Sequence, residues 1–463
     1  MMLQPQHLAQ VDLSTVEGQL SYLLDRLSSV EGAAFSLLAL FAAIFILPRA
    51  RGFDIAACVL LFVMSFPLHY STLLSQQNTL VGPLQTLRSV SRPVSYALLG
   101  LVMLRSWTIP RGDRHRPTSF TAVAFFAFQM LYVLQLTLFD STAKGLLAVF
   151  SVTGMMAVFA SGFGREMQDR TTARQALEVV GWLSVAFIGI NAVQLAFGFG
   201  SSFLGGRLVG TAGNAQFMGS MCCVLILGCA YLFVDLPRDR LLKWVCLGSL
   251  TVLSGFLVAS GSRGNTLATL VGLLVMFRRN LGQLVGYAIV AIIGVGIAFV
   301  VFGDEVTGSE RLLSGEDTRS AVWLAALAVF QDYPLFGSLS ALGADQPSFG
   351  VESSLIRALA LMGILGGSLF LVAVAGMAFD MLHSMRLSRT RDDLRRLADF
   401  HAALTATLLL QNVYEGMAFG VLTLPVMSMY LSFALGAYLR EQDLGAAVVE
   451  EGSSSSDHEW VAT

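Results

Sequence analysis

The chain has 463 residues, of which 55 % are hydrophobic and only 13 % carry a charged side chain. A soluble protein has about 25 % charged residues, so a soluble fold is excluded because it could not bury this much apolar surface. The mean hydropathy of +0.69 and the 44 Gly predict a chain surrounded by lipid over most of its length. A formal net charge of -2 without a basic domain argues against nucleic acid as a partner.

Apolar runs long enough to cross a bilayer of about 30 Å recur along the chain. In chain order they centre on 33–48, 55–70, 90–104, 119–139, 145–163, 177–199, 215–234, 242–260, 264–277, 282–302, 354–379, 399–416 and 419–438. The sequence therefore predicts an all-α integral membrane protein, a polytopic bundle of about 12 to 13 transmembrane helices.

Polar stretches divide this bundle into segments. Residues 1–32 form a polar N-terminal segment that could lie on the membrane as an interfacial helix. Transmembrane helices 1 to 10 are expected in 33–302, a large loop in 303–353, and transmembrane helices 11 to 13 in 354–438. Residues 439–463, which include four consecutive serines beside acidic residues, are predicted to be a disordered tail.

The large loop contains a helical pattern of its own. It opens with a capping residue, Asp317 or Thr318, and closes at Pro334 and Gly337. The apolar helix between them has about 15 residues, too few to span a bilayer, and is expected to rest at the membrane interface.

The positions of Arg and Lys predict the orientation, because short cytoplasmic loops collect these residues. An outside N-terminus places most of them in the cytoplasm, including Arg278, Arg279 and the cluster from Arg386 to Arg396. The large loop and a small minority of arginines then lie on the outer face.

Two outer arginines lie in Gly-rich turns that lead into helices. Arg207 belongs to G-G-R-L-V-G-T-A-G-N (205–214) and Arg263 to S-G-S-R-G-N (260–265). Such a turn exposes backbone N–H groups and a positive helix dipole, which suit an anion. The alternative is that each arginine only anchors its helix at the interface.

The large loop adds charged residues to the same face. Arg319 is expected in the first turn of the interfacial helix, where a positive charge is uncomfortable and indicates a partner anion. Glu352 and Arg357 lie in G-V-E-S-S-L-I-R (350–357), before the next span. They either form a local ion pair, or Glu352 is a general base beside arginines that hold phosphate.

This combination suits glycosyl transfer from a lipid-linked sugar diphosphate. Arginines can neutralise the charge that develops on a diphosphate leaving group, and a carboxylate can remove the proton of an acceptor hydroxyl. The outer face lacks the clustered acidic residues of a hard-cation site, so neither a metal nor a cofactor is expected.

Four segments follow one another on this face: S-G-S-R-G-N-T-L-A-T-L (260–270), T-R-S-A-V-W-L-A-A-L (318–327), D-Y-P-L-F-G (332–337) and E-S-S-L-I-R-A-L-A-L-M-G-I-L-G (352–366). In order and spacing they resemble the O-antigen ligase and Wzy-type polymerase superfamily. Its members are GT-C-like membrane enzymes with a large periplasmic loop. The resemblance covers residues 200–380, and the first 200 residues match only in being hydrophobic.

The resemblance implies roles for individual residues. Arg263 and Arg319 match arginines that bind undecaprenyl diphosphate, and Arg207 resembles a further outer arginine. Arg357, Tyr333 and Tyr414 are expected around the same substrate. Ligases of the family carry a histidine after the Pro-Leu-x-Gly segment, whereas this chain presents Glu352, which favours a polymerase. Other candidates for the general base are Asp332, Tyr333, Tyr414 and Glu415.

The function that the resemblance implies is a polysaccharide polymerase (O-antigen, exopolysaccharide or capsule) of the bacterial inner membrane. This metal-independent, inverting glycosyltransferase would act at the periplasmic face and move a glycan from undecaprenyl diphosphate to a lipid-linked repeat unit. Its expected partners are the bilayer, that lipid-linked glycan and a chain-length regulator.

Two alternatives remain open. One is an O-antigen ligase, which would transfer the polymer to lipid A core or another acceptor. The other is a lipid-linked sugar transporter, which would place ionisable groups near the membrane midplane, where this sequence has amides such as Gln129, Asn191 and Gln194.

Overall fold

A computed structural model describes residues 80–108, 119–139, 142–159, 170–235, 240–303, 319–339, 352–419 and 422–456. The predicted N-terminal segment 1–32, the spans at 33–48 and 55–70 and most of the large loop lie outside these residues. Helix makes up 87 % of the described part. The sheet found there is a single hairpin of two short strands, Phe203–Leu204 (β1) and Arg207–Leu208 (β2).

The α-helices of the described part follow the apolar runs of the sequence closely. In chain order they are α1 (Gly82–Thr108), α2 (Phe120–Phe139), α3 (Thr142–Met156), α4 (Arg170–Phe197), α5 (Ala215–Asp235), α6 (Arg240–Ala259), α7 (Arg263–Phe277), α8 (Leu281–Phe302), α9 (Ser320–Asp332), α10 (Ser354–Thr390), α11 (Arg395–Tyr414) and α12 (Leu424–Ser456).

Within the described residues, 6 helices are long and apolar enough to cross a membrane. They lie in α2, α4, α5, α6, α8 and α10. Shorter apolar helices include α7 and α9. The protein is therefore an all-α, multi-pass membrane protein, as the composition predicts.

The helices differ in the fraction of their apolar residues that is buried against the rest of the protein. The apolar window of α5 is 83 % buried inside the protein, whereas that of α8 is only 17 % buried. α5 packs against α6, α7 and α11, and α10 packs against both α2 and α11. The core thus surrounds α5 and α11, and α8 lies at the periphery.

A break in α10 holds α9 in place. Gly363 leaves the helical conformation (φ 66, ψ -160), which frees backbone groups that must find new partners inside a membrane protein. The segment after α9 supplies them: Ile364 N–H donates to the Pro334 carbonyl (2.8 Å), and Ser338 N–H donates to the Ala360 carbonyl (2.9 Å). The D-Y-P-L-F-G segment is therefore bonded directly to the break.

Side chains of α9 complete this attachment. Ala326 packs against Ala360, with Trp323 and Ile356 beside them. The packing fixes the start of α9, and with it Arg319, against the start of α10.

Two expectations differ from the structure at helix ends. Arg319 is the N-cap residue of α9 and not part of its first turn, and the helix has 13 residues. The expected caps Asp317 and Thr318 lie outside the described residues. The sequence predicts a disordered tail after residue 438, whereas the last helix continues to Ser456. The Ala, Leu, Glu and Gln residues of 441–451 account for this difference, because these residue types favour helix.

The end of the bundle away from α9 is tied together by arginines. Arg278 pairs with Asp399 (2.5 Å), Arg396 with Asp235 (3.4 Å), and Arg440 with Asp380 (2.6 Å). These pairs join α5, α10, α11 and α12 and the residue that follows α7. We call this region the opposite end, and the end that carries Arg319 and Glu352 the site end.

We expect Gly337→Ala to destabilise the protein by about 2 kcal/mol or more, because φ is positive at this residue (76°) and a Cβ would clash with the backbone of Leu361. The measurement is the thermal unfolding midpoint of detergent-solubilised protein. Gly286→Ala in α8 is the matched control, since nothing lies within 4 Å of its Cβ position. Equal midpoints for the two variants would contradict the described attachment of α9.

Candidate functional site

Six pieces of chain converge at the site end. They are the β1–β2 hairpin, the starts of α5, α7, α9 and α10, and the end of α11. Six of the predicted site residues lie on these pieces, namely Arg207, Arg263, Arg319, Glu352, Arg357 and Tyr414. The site thus combines segments that are more than 200 residues apart in the sequence.

The hairpin fixes Arg207 beside the turn that leads into α7. Leu204 pairs with Arg207 across the turn residues Gly205 and Gly206, which both have positive φ (55° and 67°). A two-residue hairpin turn of this kind favours glycine at both positions. Arg207 Nε donates to the Ser260 carbonyl at 2.8 Å.

The turn into α7 carries two further site residues. Ser262 is the N-cap of α7, and Arg263, half-buried, is its first residue. The Ser262 hydroxyl donates to Oε1 of Glu415 at 3.4 Å. The S-G-S-R-G-N motif therefore lies at the site end and contacts a carboxylate from the end of α11.

Arg319 bridges two carboxylates. Its Nε donates to Glu352 Oε2 at 2.6 Å, and its Nη2 donates to Glu415 Oε1 at 3.4 Å. The Arg319 guanidinium also lies 5.7 Å from the centre of the Tyr414 ring. The other oxygen of Glu352 accepts a hydrogen bond from the Gln216 amide.

The two carboxylates differ sharply in their access to solvent. The side chains of Arg319 and Glu352 are 25 % and 32 % exposed, whereas that of Glu415 is 1 % exposed. A ligand can therefore reach Arg319 and Glu352 from outside, and Glu415 forms the buried floor beneath them.

Burial raises the pKa of the Glu415 carboxyl from its ordinary value of 4.5 to about 8. The nearby Glu352 carboxylate acts in the same direction, while Arg319, Arg207 and the Ser262 hydroxyl oppose it. A carboxyl with a pKa near neutrality is suited to holding and releasing a proton.

The remaining predicted residues have different surroundings. The Arg357 guanidinium lies 4.7 Å from the centre of the Phe419 ring. The Glu352 carboxylate pairs with Arg319. Asp332 is the last residue of α9 and Tyr333 is its C-cap, about 20 Å from Arg319 at the helical rise per residue. The structure thus brings Tyr414 and Glu415, but not Asp332 and Tyr333, to Arg319.

Three site residues were missed because they carry no charge. Gln216 and Gln411 are amides in helices that are otherwise apolar, where polar side chains are costly, and this is their one signal in the sequence. Ser262 belongs to the Gly-rich S-G-S-R-G-N turn. All three lie in the hydrogen-bonded cluster around the carboxylates.

The three amide side chains considered for a transport pathway form hydrogen bonds to the backbone of connecting segments. Asn191 Oδ1 accepts a hydrogen bond from Thr211 N–H at 3.0 Å, and Gln194 Oε1 accepts one from Val81 N–H at 3.0 Å. Gln129 donates to the Ala418 carbonyl in the turn after α11. Each of these amides therefore bonds to a segment that connects or precedes helices.

Within the described part of the chain, no group of three or more His, Cys, Asp or Glu side chains could hold a metal ion. No protein-family model matches the chain, and no curated protein sequence matches it. Its function therefore has to follow from the chemistry of the site residues.

Glu415→Gln should remove a loss of stability that the wild-type protein shows as pH rises. The unfolded chain ionises near pH 4.5 and the folded chain near pH 8, so the folded state binds more protons in between and stability falls with rising pH. As the pH rises from 4.5 to 8, we expect the unfolding midpoint of the variant to rise relative to that of the wild type. Glu178→Gln in α4 is the control, and an unchanged difference between variant and wild type would contradict the buried state of Glu415.

Proposed function

We propose that this protein is a glycosyltransferase that uses a sugar linked to a polyprenyl diphosphate, and that it polymerises polysaccharide repeat units. The observation that carries the proposal is Arg319, held between two carboxylates at the end of an apolar helix bundle. The resemblance of the four segments on this face to the O-antigen polymerase superfamily supports it.

The geometry of Arg319 favours a diphosphate ligand. A guanidinium presents parallel N–H donors that match the oxygens of a carboxylate or a phosphate equally well. A diphosphate can therefore replace Glu352 as the partner of Arg319. Arg207, which bonds to the turn before α7, and Arg263, the first residue of α7, add positive charge for the second phosphate.

An exchange of partners would also prepare the base. When Arg319 turns to the diphosphate, the Glu352 carboxylate is released from its ion pair and can accept a hydrogen bond from the acceptor hydroxyl. Gln216 still holds its other oxygen. Glu352 is thus activated only when the donor is bound, which protects the donor from premature attack.

The proposed reaction is a direct displacement. The acceptor hydroxyl oxygen forms a bond to the anomeric carbon of the donor sugar, and the bond between that carbon and the diphosphate oxygen breaks. The hydroxyl proton passes to Glu352, and undecaprenyl diphosphate leaves with its charge neutralised by the arginines. Displacement from the opposite side inverts the anomeric configuration.

The distribution of arginine supports a periplasmic site in the bacterial inner membrane. The opposite end carries Arg278, Arg279, Arg395 and Arg396, and cytoplasmic loops are the ones enriched in basic residues. The site end would then face the periplasm, where lipid-linked repeat units are available.

The test is polymerisation by purified protein in detergent, with lipid-linked repeat units as the only substrate. We expect chains of several repeats from the wild type and a rate lower by about 100-fold or more from Arg319→Ala. Arg395→Ala, which breaks an exposed ion pair with Asp392 at the opposite end, should stay within about twofold of the wild type. Transfer to lipid A core without polymer would support the ligase alternative, and full activity of Arg319→Ala would contradict the proposal.

Glu352→Gln should separate binding from turnover. Because the variant no longer neutralises Arg319, undecaprenyl diphosphate should bind about two- to fivefold more tightly, while the transfer rate collapses for lack of the base. Binding is measured by the quenching of tryptophan fluorescence and turnover by the polymerisation assay. Weaker binding of the diphosphate by this variant would show that Glu352 does not compete for Arg319.

A further inference from the structure

Asn265 occupies the centre of the polar cluster behind the two carboxylates. Its side chain is fully buried in the first turn of α7. The amide nitrogen donates to the main-chain carbonyl of Gln216 at 2.9 Å and to the Ser262 hydroxyl at 2.8 Å. The amide oxygen accepts from the Ser220 hydroxyl at 3.0 Å and from the Gln411 amide at 2.8 Å.

This side chain uses its whole hydrogen-bonding capacity. A primary amide has two donors and two acceptor lone pairs, and Asn265 has a partner for each of them. The partners come from α5, from α11 and from the cap of α7 itself. Asn265 therefore fixes the relative positions of three helices at the site end.

Two of these partners contact the carboxylates directly. Gln216 donates from its side chain to Glu352, and Ser262 donates from its hydroxyl to Glu415. Each of the two glutamates that bind Arg319 is thus one hydrogen bond away from a residue that Asn265 holds.

The cost of such a cluster indicates its purpose. Helix packing in a bilayer does not need buried amides, and a fully satisfied buried network is rigid where a partly satisfied one is unstable. An apolar side chain at this position would pack the helices but would remove one hydrogen bond from the main-chain carbonyl of Gln216 and one from the Ser262 hydroxyl.

We propose that Asn265 is a positioning residue that holds Gln216 against Glu352 and Ser262 against Glu415. Its effect on catalysis rests on the proposed glycosyl transfer. Its effect on the titration of Glu415 does not depend on any reaction.

The direction of that effect follows from the contacts of Glu415. The groups that face its carboxyl are Glu352 at the start of α10, Arg319 at the cap of α9, Arg207 on β2 and Ser262 at the cap of α7. Among these groups, loss of Asn265 leaves the three charged side chains present and loosens the Ser262 hydroxyl. A hydrogen bond to the ionised form lowers the pKa of a carboxyl, so weakening this bond should raise the titration midpoint of Glu415.

The experiment compares Asn265→Ala with Asn412→Ala. Asn412 is also a buried asparagine at this end of the bundle, and its amide donates to the Leu408 carbonyl of its own helix at 2.8 Å. Infrared titration of the full-length protein follows the protonated carboxyl band that disappears in Glu415→Gln. We expect Asn265→Ala to move the midpoint of this band to higher pH, and Asn412→Ala to leave it in place.

The polymerisation assay gives a second readout. Asn265→Ala should lower kcat about tenfold or more with little change in KM, because the carboxylates are misplaced while the arginines remain. The activity of Asn412→Ala should match that of the wild type. An Asn265→Ala protein with the midpoint and kcat of Asn412→Ala would overturn the inference.

A variant that fails to fold is replaced by Asn265→Leu combined with Gln411→Met. This pair exchanges both buried amides for apolar side chains of similar size and so leaves fewer unpaired polar groups. The same upward shift of the Glu415 midpoint is expected, and an unshifted midpoint overturns the inference. A wild-type protein without transferase activity would contradict the proposed function alone, since the infrared titration still decides the role of Asn265.

Discussion

The ion pair between Arg319 and the two glutamates is the interaction on which the site end depends. Taking charged groups away from water costs several kcal/mol for each ion, so they persist in an apolar bundle only where geometry and hydrogen bonds compensate. Here Arg319 brings α9 to Glu352 at the start of α10 and to Glu415 at the end of α11. The attachment of α9 to the break at Gly363 and the hydrogen bonds behind the carboxylates both keep this geometry.

The two ends of the bundle use charge differently. At the opposite end, Arg278 and Arg440 each pair with one carboxylate, and these pairs join neighbouring helices. An anion that displaced either carboxylate would break the only ion pair described for that arginine. At the site end, one arginine serves two carboxylates, of which only Glu352 is open to solvent. When Arg319 separates from Glu352, the Arg319 guanidinium still has Glu415 as a partner. This asymmetry makes a partner exchange with an incoming anion feasible without stranding a buried charge.

The helices were predictable from the sequence because lipid imposes a simple pattern. The runs at 215–234 and 264–277 agree with α5 and α7 to within a residue or so at each end. The grouping of Arg207, Arg263, Arg319 and Glu352 at one end also followed from counting spans.

The pairing within the group did not follow, because the short spacing of Glu352 and Arg357 indicates a local pair while the fold brings Arg319 closer. Glu415 was one of several candidates, and only packing of α11 against α7 selects it. Asn265 was part of a quoted motif without a role, since an uncharged amide shows its importance only through its four partners.

The most direct measurement is the structure of the protein saturated with undecaprenyl diphosphate, determined by cryo-electron microscopy. The account predicts that a diphosphate oxygen contacts the Arg319 guanidinium, that the bond from Arg319 to Glu352 is broken, and that the hydrogen bonds of Asn265 are unchanged. A bound lipid that leaves the Arg319–Glu352 pair intact, with its diphosphate on other residues, would contradict the central claim.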